Sequence, residues 1–128
     1  CNEAGLWPIA LGCGTAMCTL LTVNNIRDRH QDKEHGKTTL VVVCGEKLGF
    51  LLYLIYGLIA AACQGYFLSR HTAIGIATGT AAATCIFNLL AFMKIKRIGN
   101  GKKLNKMLAV TSLIILFYGV STIAALLL

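Results

Sequence analysis

Acidic residues are the scarcest resource of this chain: Asp and Glu together number 5 in 128 positions, and charged residues of both signs make up only 13%. An ordinary soluble domain carries about 25% charge, so a fully hydrated surface cannot be assembled from this supply. Proline is limited to Pro8, and no repeat, low-complexity tract or proline-rich linker divides the sequence, which argues for one undivided bundle. The 6 cysteines include no CxxC pair, and Cys13, Cys18, Cys63 and Cys85 lie in apolar surroundings. They read as small packing residues, not as a zinc or dithiol site. The histidines lack a zinc spacing as well.

What remains is hydrophobic. Such residues make up 56% of the chain, and the mean hydropathy is +0.70. Four runs carry no charge at all: residues 4–23, 48–68, 72–93 and 107–128. Each matches the ~20 apolar residues that cross a bilayer as a helix, whereas barrel strands would alternate over ~10 residues between turns. The sequence predicts an all-α integral membrane helical bundle with four transmembrane helices.

Lys and Arg are unevenly placed. Arg27, Arg29, Lys33, Lys37 and Lys47 follow the first run, and Lys94, Lys96, Arg97, Lys102, Lys103 and Lys106 follow the third, while Arg70 stands alone after the second. Cytoplasmic loops collect these residues. Four helices threaded in turn put the first and third connections on one face, so residues 24–47 are expected to face the cytoplasm, with Arg70 and the C-terminus outside. This bias, with attraction to anionic headgroups, accounts for the net charge of +7 and leaves no need for nucleic acid as a partner.

Within the spans, Ala73, Gly75, Ala77, Gly79, Ala81, Ala82 and Ala83 promise close helix approach, and Gln64 and Asn88 require hydrogen-bond partners between helices. Among the aromatics, Tyr53 and Tyr56 are candidates for lining a tunnel. Tyr66 and Phe67, near a span end, fit interfacial or lipid-facing positions.

One block differs from everything around it. Residues 23–40, VNNIRDRHQDKEHGKTTL, hold three of the 5 acids directly after an uncharged run. Read as a helical continuation of the first span, the block places Asn24, Asp28 and Asp32 at i, i+4 and i+8 on one face, with Asn25 adjoining. Gly36 supplies a helix stop, after which Lys37, Thr38 and Thr39 form a polar loop. Two carboxylates and an amide suit a hard cation, and Mg²⁺ characteristically uses one or two carboxylates plus substrate phosphates. Arg27, Arg29, Lys33 and Lys37 are donors matched to a diphosphate. Solvated loop charge beside headgroups explains the same spacing, so DxxxD alone does not decide between them.

The segment NNIRDRHQDKEHGKTTLVVVCGEK (24–47) closely resembles the second aspartate-rich motif of the UbiA-type intramembrane aromatic prenyltransferases, in particular the branch acting on 1,4-dihydroxy-2-naphthoate in menaquinone synthesis. The resemblance lies in the combination NNxRDxxxDxxxGKxTL. The segment LNKMLAVTSLIILFYG (104–119) also resembles the start of that branch's last helix. The resemblance implies a bundle of about nine spans, of which these four are the last, in a bacterial or archaeal cytoplasmic membrane. It implies Mg²⁺-dependent transfer of a polyprenyl group from an allylic diphosphate to dihydroxynaphthoate. Carried over by position, Asp28 and Asp32 hold Mg²⁺ and are catalytic, Asn24 and Asn25 complete the polar shell, and Arg27, Lys33 and Lys37 contact the diphosphate.

The family's other aspartate-rich motif, NDxxDxxxD, has no counterpart here. Since the chain opens on Cys1, the expectation is that it is the C-terminal part of a longer protein and is inactive alone. Prenyl transfer to another aromatic acceptor, a small ion-coupled carrier using Asp28 and Asp32, and a non-catalytic scaffold are the alternatives. A carrier would place such carboxylates near the bilayer midplane, not at a span end.

Overall fold

The computed structural model describes residues 6–98 and 102–127, so Cys1, the first two residues of the expected first span and Leu128 lie outside the described residues. Helix α1 (Trp7–Arg27) is followed by two short helices, α2 (Arg29–Glu34) and α3 (Leu40–Cys44). Three long helices complete the chain: α4 (Glu46–Ser69), α5 (Ile74–Ile98) and α6 (Asn105–Leu127), the last preceded by a 3-10 turn at Lys102–Leu104. No strand occurs among the described residues. The helices α1, α4, α5 and α6 are each long and apolar enough to cross a membrane.

Local chemistry explains the boundaries. Pro8 occupies the first turn of α1, where its missing N–H costs nothing. Between α4 and α5, the amides of Arg70, His71 and Thr72 return to the carbonyls of Phe67 and Leu68. The Thr72 hydroxyl adds a bond to Leu68 O at 3.0 Å. The turn is therefore short, and α4 and α5 become antiparallel neighbours. Helix α5 runs to Ile98, past the apolar stretch expected to end at Met93, so its last turns carry Lys96 and Arg97 where the helix dipole favours cations.

The long helices form an up-and-down ring: α1 packs on α4, α4 on α5, and α6 closes the ring against α5 and α1. Three apolar clusters fill it from end to end. Val23, Ile26, Val41, Tyr53, Ala91, Ile95, Leu104 and Met107 pack at the end carrying both basic connections. Ala16, Ala60 and Tyr118 hold the middle. Phe67, Leu68, Ala77 and Ala125 hold the far end, beside the Arg70 turn.

Close approach involves glycines of α1 and α4 and only part of the small-residue set of α5, where Ala77 is buried and Ala81 packs against Gly65. A Cβ on Gly49 would meet Ile26 at 2.8 Å, and one on Gly57 would meet Asn88 at 2.8 Å. Gly75 and Gly79 of α5 face open space, because the rotation of α5 is set by its buried residues Ala77, Thr84, Asn88, Ala91 and Ile95. Gln64 is completely buried and ties three helices together. Its Nε2 donates to Thr122 Oγ1 at 2.8 Å and its Oε1 accepts from Thr84 Oγ1 at 2.7 Å. Asn88 instead turns back on its own helix, donating to Thr84 O at 3.0 Å.

The aromatics divide similarly. Tyr66 is exposed, lies near Trp7 with centroids 6.4 Å apart, and has Arg70 over its ring at 6.0 Å, as suits a membrane interface. Phe67 is buried, contrary to the interfacial expectation, because it packs in the far-end cluster with Leu68, Ala77 and Ala125, and the exposed His71 ring stacks on it at 4.4 Å.

The Gly57 contact predicts a test. Gly57→Val should lower thermal stability in detergent by about 1–3 kcal/mol through overpacking against Asn88, whereas Gly79→Ala, with nothing within 4 Å, should lower it not at all. Equal unfolding midpoints for Gly57→Val and the parent chain would contradict this packing.

Candidate functional site

The polar block sits at the bundle end where Val23 and Ile26 anchor the last turns of α1 in the core. The expected continuous helix is broken at one residue. Asp28 closes α1 and opens α2 with φ −93° and ψ 5°, the bridge region between helix and strand. Hydrogen bonding nevertheless runs through the break: Asp28 N donates to Asn24 O at 3.0 Å and Asp32 N to Asp28 O at 2.7 Å. Asn24, Asp28 and Asp32 therefore keep their i, i+4, i+8 backbone register across the break.

Helix α2 ends as its glycine dictates. Gly36 has φ +74°, Lys37 N donates to Asp32 O at 2.8 Å and Gly36 N to Lys33 O at 3.2 Å, the paired bonds of a Schellman motif. The reversal brings Lys37 back close enough for its charge to act on Asp28. Lys33 and Lys37 themselves are exposed. Thr39 then caps α3 by accepting from Val42 N at 3.2 Å, and Arg29 Nε donates to Val41 O at 3.3 Å, tying α2 to α3.

Arg27 is the hub. Its Nε donates to Asp28 Oδ1 at 2.8 Å and its Nη2 to Asp28 Oδ2 at 3.1 Å, a two-pronged ion pair. Nη2 also donates to Asn24 Oδ1 at 2.5 Å, and Nη1 reaches across the bundle to Asn105 Oδ1 at 2.9 Å. Arg27, expected to meet diphosphate, is thus engaged by Asp28, and Asn105 joins the site from α6. Sequence reasoning missed Asn105. The only signal available was its place in the LNK triplet that opens the last span.

Asn25, one residue from Asn24, faces elsewhere. It lines a cleft of about 210 Å³ with Cys18, Leu21, Thr22, Leu40, Val41, Leu52 and Tyr56. Tyr56 thus borders a cavity, while Tyr53 is wholly buried with its hydroxyl 3.1 Å from Thr111 Oγ1 and lines none of it. The block therefore presents two surfaces: a charged one where Arg27 joins Asn24 and Asp28, with Asp32 one helical turn on, and a mixed polar and apolar one holding Asn25 and Tyr56.

Among the described residues no group of three or more His, Cys, Asp or Glu side chains is gathered as a metal cage. Asp28 and Asp32, one helical turn apart, fit the Mg²⁺ pattern in which a substrate's phosphates supply the remaining oxygens. The hydrogen bond from Arg27 holds the Asp28 carboxyl below its ordinary range; partial burial opposes this, and the charges of Arg27 and Lys37 add to it.

An all-α chain with four helices long and apolar enough to cross a membrane is an integral membrane protein, here with an Arg–Asp pair at one end of the bundle. The UbiA prenyltransferase family model matches residues 2–114, and the chain belongs to that family. It is also 49% identical over 37 residues to 1,4-dihydroxy-2-naphthoate octaprenyltransferase of Escherichia coli (strain K12). That stretch is 29% of this chain and 12% of the relative's length. No solved structure matches the chain significantly.

A depressed carboxyl stabilises the folded state fully above the unfolded aspartate value of ~3.9, and that stabilisation is lost as pH falls through the lower folded value. The unfolding midpoint of the parent chain should therefore drop more steeply below about pH 4 than that of Asp28→Asn. Parallel curves would show that the Arg27–Asp28 pair does not form.

Proposed function

We propose that this chain supplies the second aspartate-rich motif of a prenyltransferase that moves a polyprenyl group from an allylic diphosphate to 1,4-dihydroxy-2-naphthoate. The observation that carries this reading is the Arg27 fork joined to Asp28 and Asn24 at the end of an apolar span, with Asp32 one helical turn further on. Family membership and the 49% likeness to a naphthoate prenyltransferase support it.

In this reading Asp28 and Asp32 hold Mg²⁺ jointly with the diphosphate. Bound there, the ion withdraws charge from the leaving group as a Lewis acid. Asp28, paired here with the Arg27 guanidinium, would be a ligand of that ion, which would leave the guanidinium free for the diphosphate. Lys37 and Lys33 add charge at the rim, and Asn24 and Asn25 complete the polar shell. The allylic carbon–oxygen bond ionises, the electron-rich ring captures the cation at the carbon that bears the carboxylate, and diphosphate and CO₂ leave as the quinol, demethylmenaquinol, forms. The prenyl chain stays in the lipid-facing apolar region, and the motif faces the cytoplasm, where both basic connections gather.

The site lies at the end of α1 and not midway along a span, which favours this reading over an ion-coupled carrier. The partner motif, the remaining spans of about nine and the rest of the cavity come from the whole protein, so the 128 residues alone are inactive.

The test is prenyl transfer in membranes carrying the full-length protein, with dihydroxynaphthoate, an allylic diphosphate and Mg²⁺, against a chelator control. Product should depend on Mg²⁺ and fall at least about a hundredfold in Asp28→Asn, a loss near 2.7 kcal/mol of transition-state stabilisation. Product formed equally well by Asp28→Asn would sink this assignment. Product formed only from a different aromatic acid would move the substrate and leave the mechanism standing.

A further inference from the structure

We infer that Asn105 is a positioning residue for diphosphate binding, acting through Arg27; this role rests on the function proposed above. The guanidinium of Arg27 has five N–H donors in a rigid fork. Asp28 takes Nε and one arm of Nη2, and Asn24 takes the other arm of Nη2. Both partners lie within three residues of Arg27 and move with the end of α1. Asn105, 78 residues away, holds Nη1 and is the contact that references the fork to a different helix.

Its placement is fixed by the core. Leu104 on one side of Asn105 is fully buried and Met107 beyond it nearly so, both packed in the cluster that contains Val23 and Ile26. The start of α6 is thereby pinned against the last turns of α1. Asn105 remains exposed at that junction, with only its amide oxygen directed to Arg27.

The chemistry of the amide matters. Asp28 neutralises Arg27 while it pairs with it, and so competes with a diphosphate. A carbonyl oxygen accepts a hydrogen bond without cancelling the positive charge. When Asp28 turns to a cation, Asn24 and Asn105 keep the guanidinium plane in place with its full charge available, and Asn105 alone keeps it registered to α6. An aspartate at position 105 would keep the contact and remove the charge.

The experiment uses full-length protein and reads the KM for allylic diphosphate and for dihydroxynaphthoate separately, in the parent, Asn105→Ala, Arg27→Ala and the double variant. Asn105→Ser is carried alongside because serine preserves a favourable residue at the helix start but is too short to reach Arg27. Both Asn105 variants should raise the KM for diphosphate about five- to tenfold, leave the KM for the aromatic acceptor unchanged, and add nothing in the Arg27→Ala background. Thermal stabilisation by Mg²⁺ with inorganic pyrophosphate should weaken in parallel. An unchanged diphosphate KM, an equal rise for both substrates, or a full additional loss in the Arg27→Ala background overturns the inference while transfer by the parent protein stands. A parent protein that neither transfers a prenyl group nor is stabilised by Mg²⁺ and pyrophosphate overturns the proposed function itself, and this role with it.

Discussion

The two-pronged pairing of Arg27 with Asp28 is the interaction around which the polar end of this molecule is organised. Hydrocarbon tolerates neither charge nor unpaired backbone, so a chain with so few acids must concentrate them where a span ends. Pairing holds Asp28 ionised at neutral pH while lowering the local field, and the bond from Arg27 to Asn105 closes the junction of α1 and α6. A charged pair that is only partly exposed can also be opened by a ligand carrying both signs, as a metal diphosphate does.

Below that mouth the bundle solves a different problem. Water gives helices no reason to associate inside a bilayer, so contact must come from close packing and hydrogen bonds. Gly49 and Gly57 let α4 approach α1 and α5, and Gln64 joins α4 to α5 and α6 through Thr84 and Thr122. No more than 39% of any span is buried, so a large apolar surface stays available to lipid or to further helices. The interior is small and specific, and the exterior is generic.

Sequence revealed the layers governed by composition and periodicity. Uncharged runs located the four spans, and the i, i+4, i+8 spacing of Asn24, Asp28 and Asp32 gave their helical backbone register, because both are local properties of a helix. Gly36 was legible as a stop for the same reason. The break at Asp28, the cap-driven helix at Leu40–Cys44 and the partner at Asn105 were not legible. A run such as LVVVC favours strand by propensity, and only Thr39 at its start and the burial of Val41 make it helical. Asn105 depends on how α6 docks beside α1, a relation between residues 78 apart that no local pattern encodes.

The function proposed above requires this mouth to hold a metal diphosphate, with Asp28 turned to the cation and Arg27 to the diphosphate. Binding of a non-reactive prenyl diphosphate analogue to the purified full-length protein, titrated calorimetrically with Mg²⁺ and with chelator, tests it most directly. Binding should be saturable, require Mg²⁺ and be lost in Asp28→Asn. Equally tight binding with chelator, or in Asp28→Asn, would contradict it.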